Sequence, residues 1–419
     1  MKLSSFGTRM TRDVGIVQLM DDLGAALAEH PDMRMLGGGN PGHIPAVERL
    51  FRERLRTLLD APGEIERVLG NYDPPRGQAR FARAMADLLR RELGWNVGSE
   101  NIAATNGSQS ASFMLLNLLA GDFDDASSRH VLLPLAPEYI GYAAQGLTDD
   151  FFVAARPTIE HLDAHTFKYH VDFEALEVGD RTAALCVSRP TNPTGNVLTD
   201  AEVRGLAALA REHRVPLILD NAYGVPFPGI VFGAATPIWN ENIIVLMSLS
   251  KLGLPGVRTG IIIAREEIIR AVSAVNAVLN LTTGGFGQAL TLEMIESGEI
   301  IRVGHELIRP YYQRKAEQAI AWLNQDLADY DYHVHRPEGA IFLWLWFRDL
   351  PITSRELYQR LKQRGVLVLS GHYFFPGLKD PWRHRDECLR ITYSQEDSVV
   401  RDGLRVLAEE VKRAYDRSG

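Results

Sequence analysis

Apolar residues gather in five short runs along the middle of the chain: HVLLPL (130–135), AALCVS (183–188), VPLILD (215–220), IIVLMSLS (243–250) and TGIIIA (259–264). Each run gives way to polar or glycine-rich sequence. Continuous apolar runs of this length predict strands buried on both faces, because a half-exposed strand would alternate apolar with polar positions. Helical patterns lie between them. In 199–213, Thr199 and Glu202 form a capping-box spacing ahead of Leu206, Leu209 and Ala210. Strands that alternate with helices predict an α/β architecture, a mostly parallel sheet sandwiched by helices. The last third changes character. A long amphipathic stretch covers 305–330, strand-like runs follow at 340–347 (AIFLWLWF) and 366–369 (VLVL), and 398–416 reads as a final helix. This predicts a smaller α+β domain. With no internal repeat, low-complexity tract or long linker, the domains are expected to pack closely.

The 419 residues suffice for two or three domains. A composition of 46% hydrophobic and 23% charged residues is that of a globular protein, and no stretch approaches the ~20 apolar residues of a membrane span. The first 22 residues lack a continuous apolar segment and a small-residue cleavage site, so they read as mature protein, and a cytoplasmic location is expected. Cys186 and Cys388 stand far apart without a CxxC partner, which points to no metal site and no disulfide. The formal net charge of −8 disfavours nonspecific nucleic-acid binding but is compatible with a local basic pocket for one phosphate.

In an open parallel sheet, ligands collect beyond the carboxyl ends of the strands, and the chemistry-bearing residues fall there. Asn192-Pro193-Thr194-Gly195 follows the run at 183–188. Asp220 ends the next, with Tyr223 three residues on. The run at 243–250 leads into Ser250-Lys251, then Gly256-Val257-Arg258-Thr259-Gly260. Upstream, Thr105-Asn106-Gly107-Ser108-Gln109 opens a helix of about 12 residues, whose free N–H groups and dipole form a ready phosphate site. Each piece alone has a plain structural explanation: a solvated lysine, a turn, a helix-capping aspartate. Their order at successive strand ends argues against coincidence.

That set resembles the fold-type-I pyridoxal-phosphate enzymes, the aminotransferases in particular, over nearly the whole chain. The resemblance implies a large domain with a mostly parallel seven-stranded sheet (46–304), a smaller α+β domain (305–419), and an N-terminal segment (1–45) that covers the active site. It implies pyridoxal 5'-phosphate as cofactor, carried by Lys251 as a Schiff base. Lys251 also moves the substrate proton, which requires a depressed pKa. Asp220 is expected to pair with the pyridine nitrogen, so the ring can accept electrons. Asn192 and Tyr223 are expected at the phenolic oxygen, and Tyr139 of APEYIGY stacked on the ring. Gly107, Ser108, Gln109, Ser248 and Arg258 would hold the phosphate, although Arg258 lies seven residues after Lys251 where many relatives have eight. Arg390 of CLRITYS would grip the substrate carboxylate in a bidentate pair. Gly37-Gly38-Gly39 would close over it, with Gly39 and Asn192 beside the substrate. Tyr72 of NYDPPRG would reach the neighbouring subunit's phosphate, which implies a homodimer with shared active sites.

Longer strings, among them LGGGNPGHIP, LDNAYGVPFPGI, MSLSKLGLPGVRTGI and GHYFFPGL, resemble a branch of the family that transfers the amino group of L-valine to pyruvate by a ping-pong route. The partners so implied are amino acids and 2-oxo acids, not nucleic acid or membrane. Phe342-Leu343-Trp344 and Phe374-Phe375 are candidate walls of an apolar side-chain pocket, although AIFLWLWF equally suits a core strand. Aminotransfer with aromatic or 2-aminoadipate specificity, and a carbon-sulfur β-lyase, are the alternative activities. A transcriptional regulator on this fold needs a DNA-binding module ahead of it, and the glycine segment near residue 37 is expected to leave no room.

Overall fold

A computed structural model of the chain describes residues 2–11, 17, 24 and 32–416. Strands are numbered in chain order, β1 being Arg34–Met35. All five apolar runs form strands of one sheet. Its order is β2 (Ile102–Thr105), β11 (Gly260–Ile263), β10 (Ile243–Ser248), β9 (Leu217–Asp220), β8 (Thr182–Ser188) and β4 (Ser128–Leu133). Beyond β4 the edge is continued by β5 (Phe152–Ala154) and the two-residue β3 (Gly121–Asp122), which pair with different halves of β4. The sheet therefore has seven strands plus a short extension. Burial explains why these runs lack polar alternation. Leu185, Val187, Val245, Met247, Ile261 and Ile263 pack into one core, while Ala184, Cys186, Ile244, Leu246 and Ile262 pack into another on the opposite face. With about 1.5–3 kcal/mol gained per buried large aliphatic side chain, neither face tolerates a polar residue well.

Strand direction sets the functional edge. β4, β8, β9 and β10 are parallel, and Ser188 pairs with Asp220 and Asp220 with Leu246, so these strands end together. β11 runs antiparallel to both its neighbours, and its first residue, Gly260, pairs with Ser248 and with Thr105. The loops before β11 and after β2 thus open on that same edge.

A second sheet runs β15 (Leu369–Ser370), β16 (Cys388–Thr392), β13 (Phe342–Phe347), β12 (Tyr332–His335), β7 (Thr166–His170) and β6 (Thr158–His161). The hairpin β6–β7 lies inside the range 46–304 yet joins this sheet, because β7 pairs in parallel with β12. A boundary drawn at 304/305 by chain position is crossed here, since strand pairing is non-local. β1 pairs with β14 (Val366–Leu367), and the Thr392 N–H donates to the Leu36 carbonyl at 2.7 Å. This holds the Gly37–Gly39 segment beside β16.

The helical expectations hold. Asp200–Glu212 is a helix capped reciprocally: Thr199 Oγ1 accepts the Glu202 N–H and Glu202 Oε2 accepts the Thr199 N–H. Stretch 305–330 begins within a π-helical turn, Gly304–Ile308, and continues as Arg309–Leu327, with Pro310 in the first turn where its missing N–H does least harm. The last helix is Asp397–Asp416. Among the described residues, no helix is long and apolar enough to cross a membrane.

Candidate active site

At one end of the sheet edge, the chain leaves β2 through Gly107 and enters the helix Ser108–Leu119. Gly107 has φ +87°, and a Cβ there would overlap the Arg258 guanidinium. A Cβ on Gly260 would lie 2.6 Å from the Ser108 nitrogen. Only glycines let these two backbones and the arginine converge. The unpaired N–H groups of the helix start and an exposed guanidinium then form an anion cradle, with Ser108 and Gln109 half-buried beside it. Ser248 is buried, and its Oγ accepts the Ser250 N–H at 3.1 Å. Ser250, not singled out from the sequence, places its Oγ 3.5 Å from Arg258 Nη1.

Asp220 lies at the middle of the edge. Its Oδ2 accepts the Tyr142 hydroxyl at 2.7 Å and its Oδ1 the Ala222 N–H at 3.1 Å. Removal from water raises its pKa, against the lowering by these two donors and by the Lys251 charge. Tyr142 was missed in the sequence, where the only signal is its place three residues after Tyr139. The Tyr139 ring meets Tyr142 edge-on, centroids 5.4 Å apart. Glu138 was also missed. It is wholly buried, and burial pushes its pKa up to about 8.

Lys251 follows β10 and reaches the same space. Its Nζ donates to the Gly39 carbonyl at 2.5 Å and lies 5.3 Å from the Tyr223 ring centroid. Loss of hydration, then the Arg390 and Arg258 charges, lowers its pKa to about 8, with Asp220 opposing. A cavity of about 270 Å³, lined in part by Lys251, Ile44, Val47 and Tyr312, adjoins it.

Arg390, on β16, is 2% exposed. Nη1 donates to Asn192 Oδ1 at 2.8 Å and Nη2 to the Gly37 carbonyl at 2.6 Å, while Nε has no partner. Phe342 and Phe374 face the guanidinium, 4.0 and 5.3 Å from centroid to Cζ. A buried cation with only neutral acceptors is costly, and burial lowers this pKa to about 10. An incoming carboxylate relieves that cost. Phe342 and Phe374 therefore contact the arginine itself, Trp344 packs on Phe374 and donates to the Tyr169 hydroxyl, and Leu343 points to the other face of its strand.

The structure thus brings together Gly39, Gly107, Ser108, Gln109, Tyr139, Asn192, Asp220, Tyr223, Ser248, Lys251, Arg258 and Arg390 around one edge. Tyr72 makes none of these contacts and is 80% exposed.

The model of the family described as aminotransferase class I and II matches residues 56–407. Valine–pyruvate aminotransferase of Escherichia coli (strain K12) is 51% identical over 418 residues, covering 100% of both chains. A putative amino-acid aminotransferase of Psychrobacter arcticum 273-4 superposes with a TM-score of 0.97 at 45% identity, covering 99% of each chain. The valine–pyruvate aminotransferase of Salmonella typhimurium LT2 does so at 0.89 and 52% identity, over 97% of this chain and 100% of that one.

Proposed function

The chain belongs to the class I and II aminotransferase family, and from that membership we propose that it converts L-valine and pyruvate to 3-methyl-2-oxobutanoate and L-alanine. Its cofactor is pyridoxal phosphate. The residues present fit that group: an anion cradle that any side chain at 107 would fill, a buried aspartate whose two oxygens each accept a hydrogen bond, and a lysine of lowered pKa. When bound, the cofactor supplies an aldehyde carbon for the amino group and a ring that accepts the electron pair left on the substrate Cα.

Every other part falls to the protein. Arg258, Ser248, Gly107, Ser108 and Gln109 hold the phosphate, Asp220 keeps a proton on the ring nitrogen, and Asn192 and Tyr223 hold the phenolic oxygen. Tyr139 covers the ring. Lys251, with a pKa of about 8, is neutral in about a tenth of molecules at pH 7. It can therefore take a proton from the substrate Cα and return it. Arg390 fixes the substrate carboxylate, which replaces the neutral acceptors it now has and orients the Cα–H towards Lys251. The observation that carries this reading is the pairing of the two cations: Lys251 and Arg390 are capped by carbonyls only two residues apart, Gly39 and Gly37. An amino acid held by its carboxylate at Arg390 would therefore bring its Cα towards Lys251.

Residues 1–45 would form the covering segment and 46–304 the cofactor-binding domain. The remainder would be the second domain, to which we add the hairpin 158–170. A homodimer completes the site, with exposed Tyr72 reaching the other subunit's phosphate. The two cysteines are free and buried, which suits a reducing compartment, and we place the reaction in the cytoplasm.

The test uses the purified protein with its cofactor. L-valine alone should abolish the visible absorption band of the bound cofactor, and pyruvate added afterwards should restore it. A band that L-valine leaves unchanged would reject the donor. Release of pyruvate and ammonia from a β-substituted amino acid, without an oxo acid, would instead establish lyase chemistry.

A further inference from the structure

Glu138 is a fully buried carboxylate with no part in the roles above. Its Oε1 accepts the Ser188 N–H at 2.7 Å, and its Oε2 accepts the Ser188 hydroxyl at 2.6 Å and the Tyr139 N–H at 3.2 Å. Its own N–H donates to the Phe374 carbonyl at 2.8 Å. Each partner belongs to a different part of the site. Ser188 ends β8 as the register partner of Asp220, Tyr139 is the ring edge-on to Tyr142, and Phe374 is one of the two rings against Arg390. Burying an acidic side chain is costly unless its oxygens are hydrogen-bonded, and both oxygens of Glu138 are.

We propose that Glu138 is a positioning residue for transamination: its carboxyl group ties Tyr139, which covers the cofactor ring, to the Ser188–Asp220 strand ends, while its main-chain N–H joins the same turn to the Phe374 carbonyl. This rests on the reading above. Loss of the carboxyl group keeps the main-chain bond to Phe374 but frees Tyr139 from the Ser188–Asp220 strand ends, and so shifts the cofactor against a substrate held at Arg390. A shift of 1 Å at a reacting centre can cost about 100-fold in rate. Glutamine at 138 keeps an acceptor for the Ser188 N–H, and its amide can donate to the Ser188 hydroxyl. Only the bond from the Tyr139 N–H is then lost.

The experiment compares wild type, Glu138→Ala, Glu138→Gln and Ser188→Ala as holoenzymes, by visible circular dichroism of the bound cofactor and by steady-state kinetics with L-valine and pyruvate. Glu138→Ala is expected to change the circular dichroism band and to lower kcat/KM for both substrates by up to about 100-fold, with KM raised for both. Glu138→Gln should recover most of this, and Ser188→Ala should show a smaller change in the same direction. If Glu138→Ala does not fold, Ser188→Ala decides. Wild-type circular dichroism and KM in the alanine variants, whatever their unfolding temperature, would overturn the proposal, as would a glutamine variant no better than alanine. Should wild type fail to transfer from L-valine, the substrate reading falls, and the circular dichroism comparison still judges Glu138.

Discussion

Replacing Tyr142 with phenylalanine removes one hydroxyl and little else. The ring stacks on Phe152, centroids 6.3 Å apart, and meets Tyr139 edge-on, and phenylalanine keeps both contacts. What is lost is the donor 2.7 Å from Asp220 Oδ2, first among the influences that hold the Asp220 pKa down against burial. A hydrogen bond to an ionised group contributes about 1.5–3 kcal/mol. At about 1.4 kcal/mol per unit, its loss moves the Asp220 pKa up by about one to two units. The sign follows from the charge: removing a donor to the carboxylate favours its neutral form, which cannot keep a proton on the ring nitrogen. The acid limb of the kcat/KM profile with L-valine should therefore move to higher pH by about one to two units. Activity well above that limb should change much less. The assay is kcat/KM from pH 5 to 9 on wild type and Tyr142→Phe, each saturated with cofactor. An unmoved acid limb, or an equal loss at every pH, would refute the reasoning, because the hydroxyl would then act through something other than the charge on Asp220.

Arg390→Lys keeps the charge but not the planar fork, and it leaves Asn192 Oδ1 and the Gly37 carbonyl to a single ammonium. Loss of about 2–5 kcal/mol at this buried site should lower kcat/KM for both L-valine and pyruvate by at least about 30-fold, measured by steady-state kinetics; an unchanged value would remove Arg390 from the carboxylate. Only neutral Lys251 is a nucleophile, so the rate at which apoprotein takes up pyridoxal phosphate should rise about tenfold per pH unit below pH 8 and level off above it. Stopped-flow absorbance measures this, and a rate still climbing towards pH 10 would show that Lys251 keeps an ordinary pKa.

The strands, their order of appearance and the residues at their ends could be read from the chain, because each is a local property: continuous apolar runs, a capping box at Thr199, glycines at 107 and 260. The lysine, the aspartate and Arg258 stood out for the same reason, since each follows or ends a recognisable element, whereas Arg390 stood out through the family resemblance of CLRITYS. What the chain alone did not reveal depends on contacts between distant segments. The hairpin 158–170 joins the second sheet by pairing with β12, 168 residues away in sequence (Thr166 with Val334). Tyr142 and Glu138 look like ordinary loop residues until β8 and β9 bring Ser188 and Asp220 beside them. Phe342 and Phe374 read as pocket walls, and the register of β13 and the turn of 3-10 helix Gly371–Phe374 set both rings against Arg390. Local sequence determines which elements form and what chemistry they carry. The pKa values and partners of that chemistry come from burial and from charges on other elements, which exist only once the chain has folded.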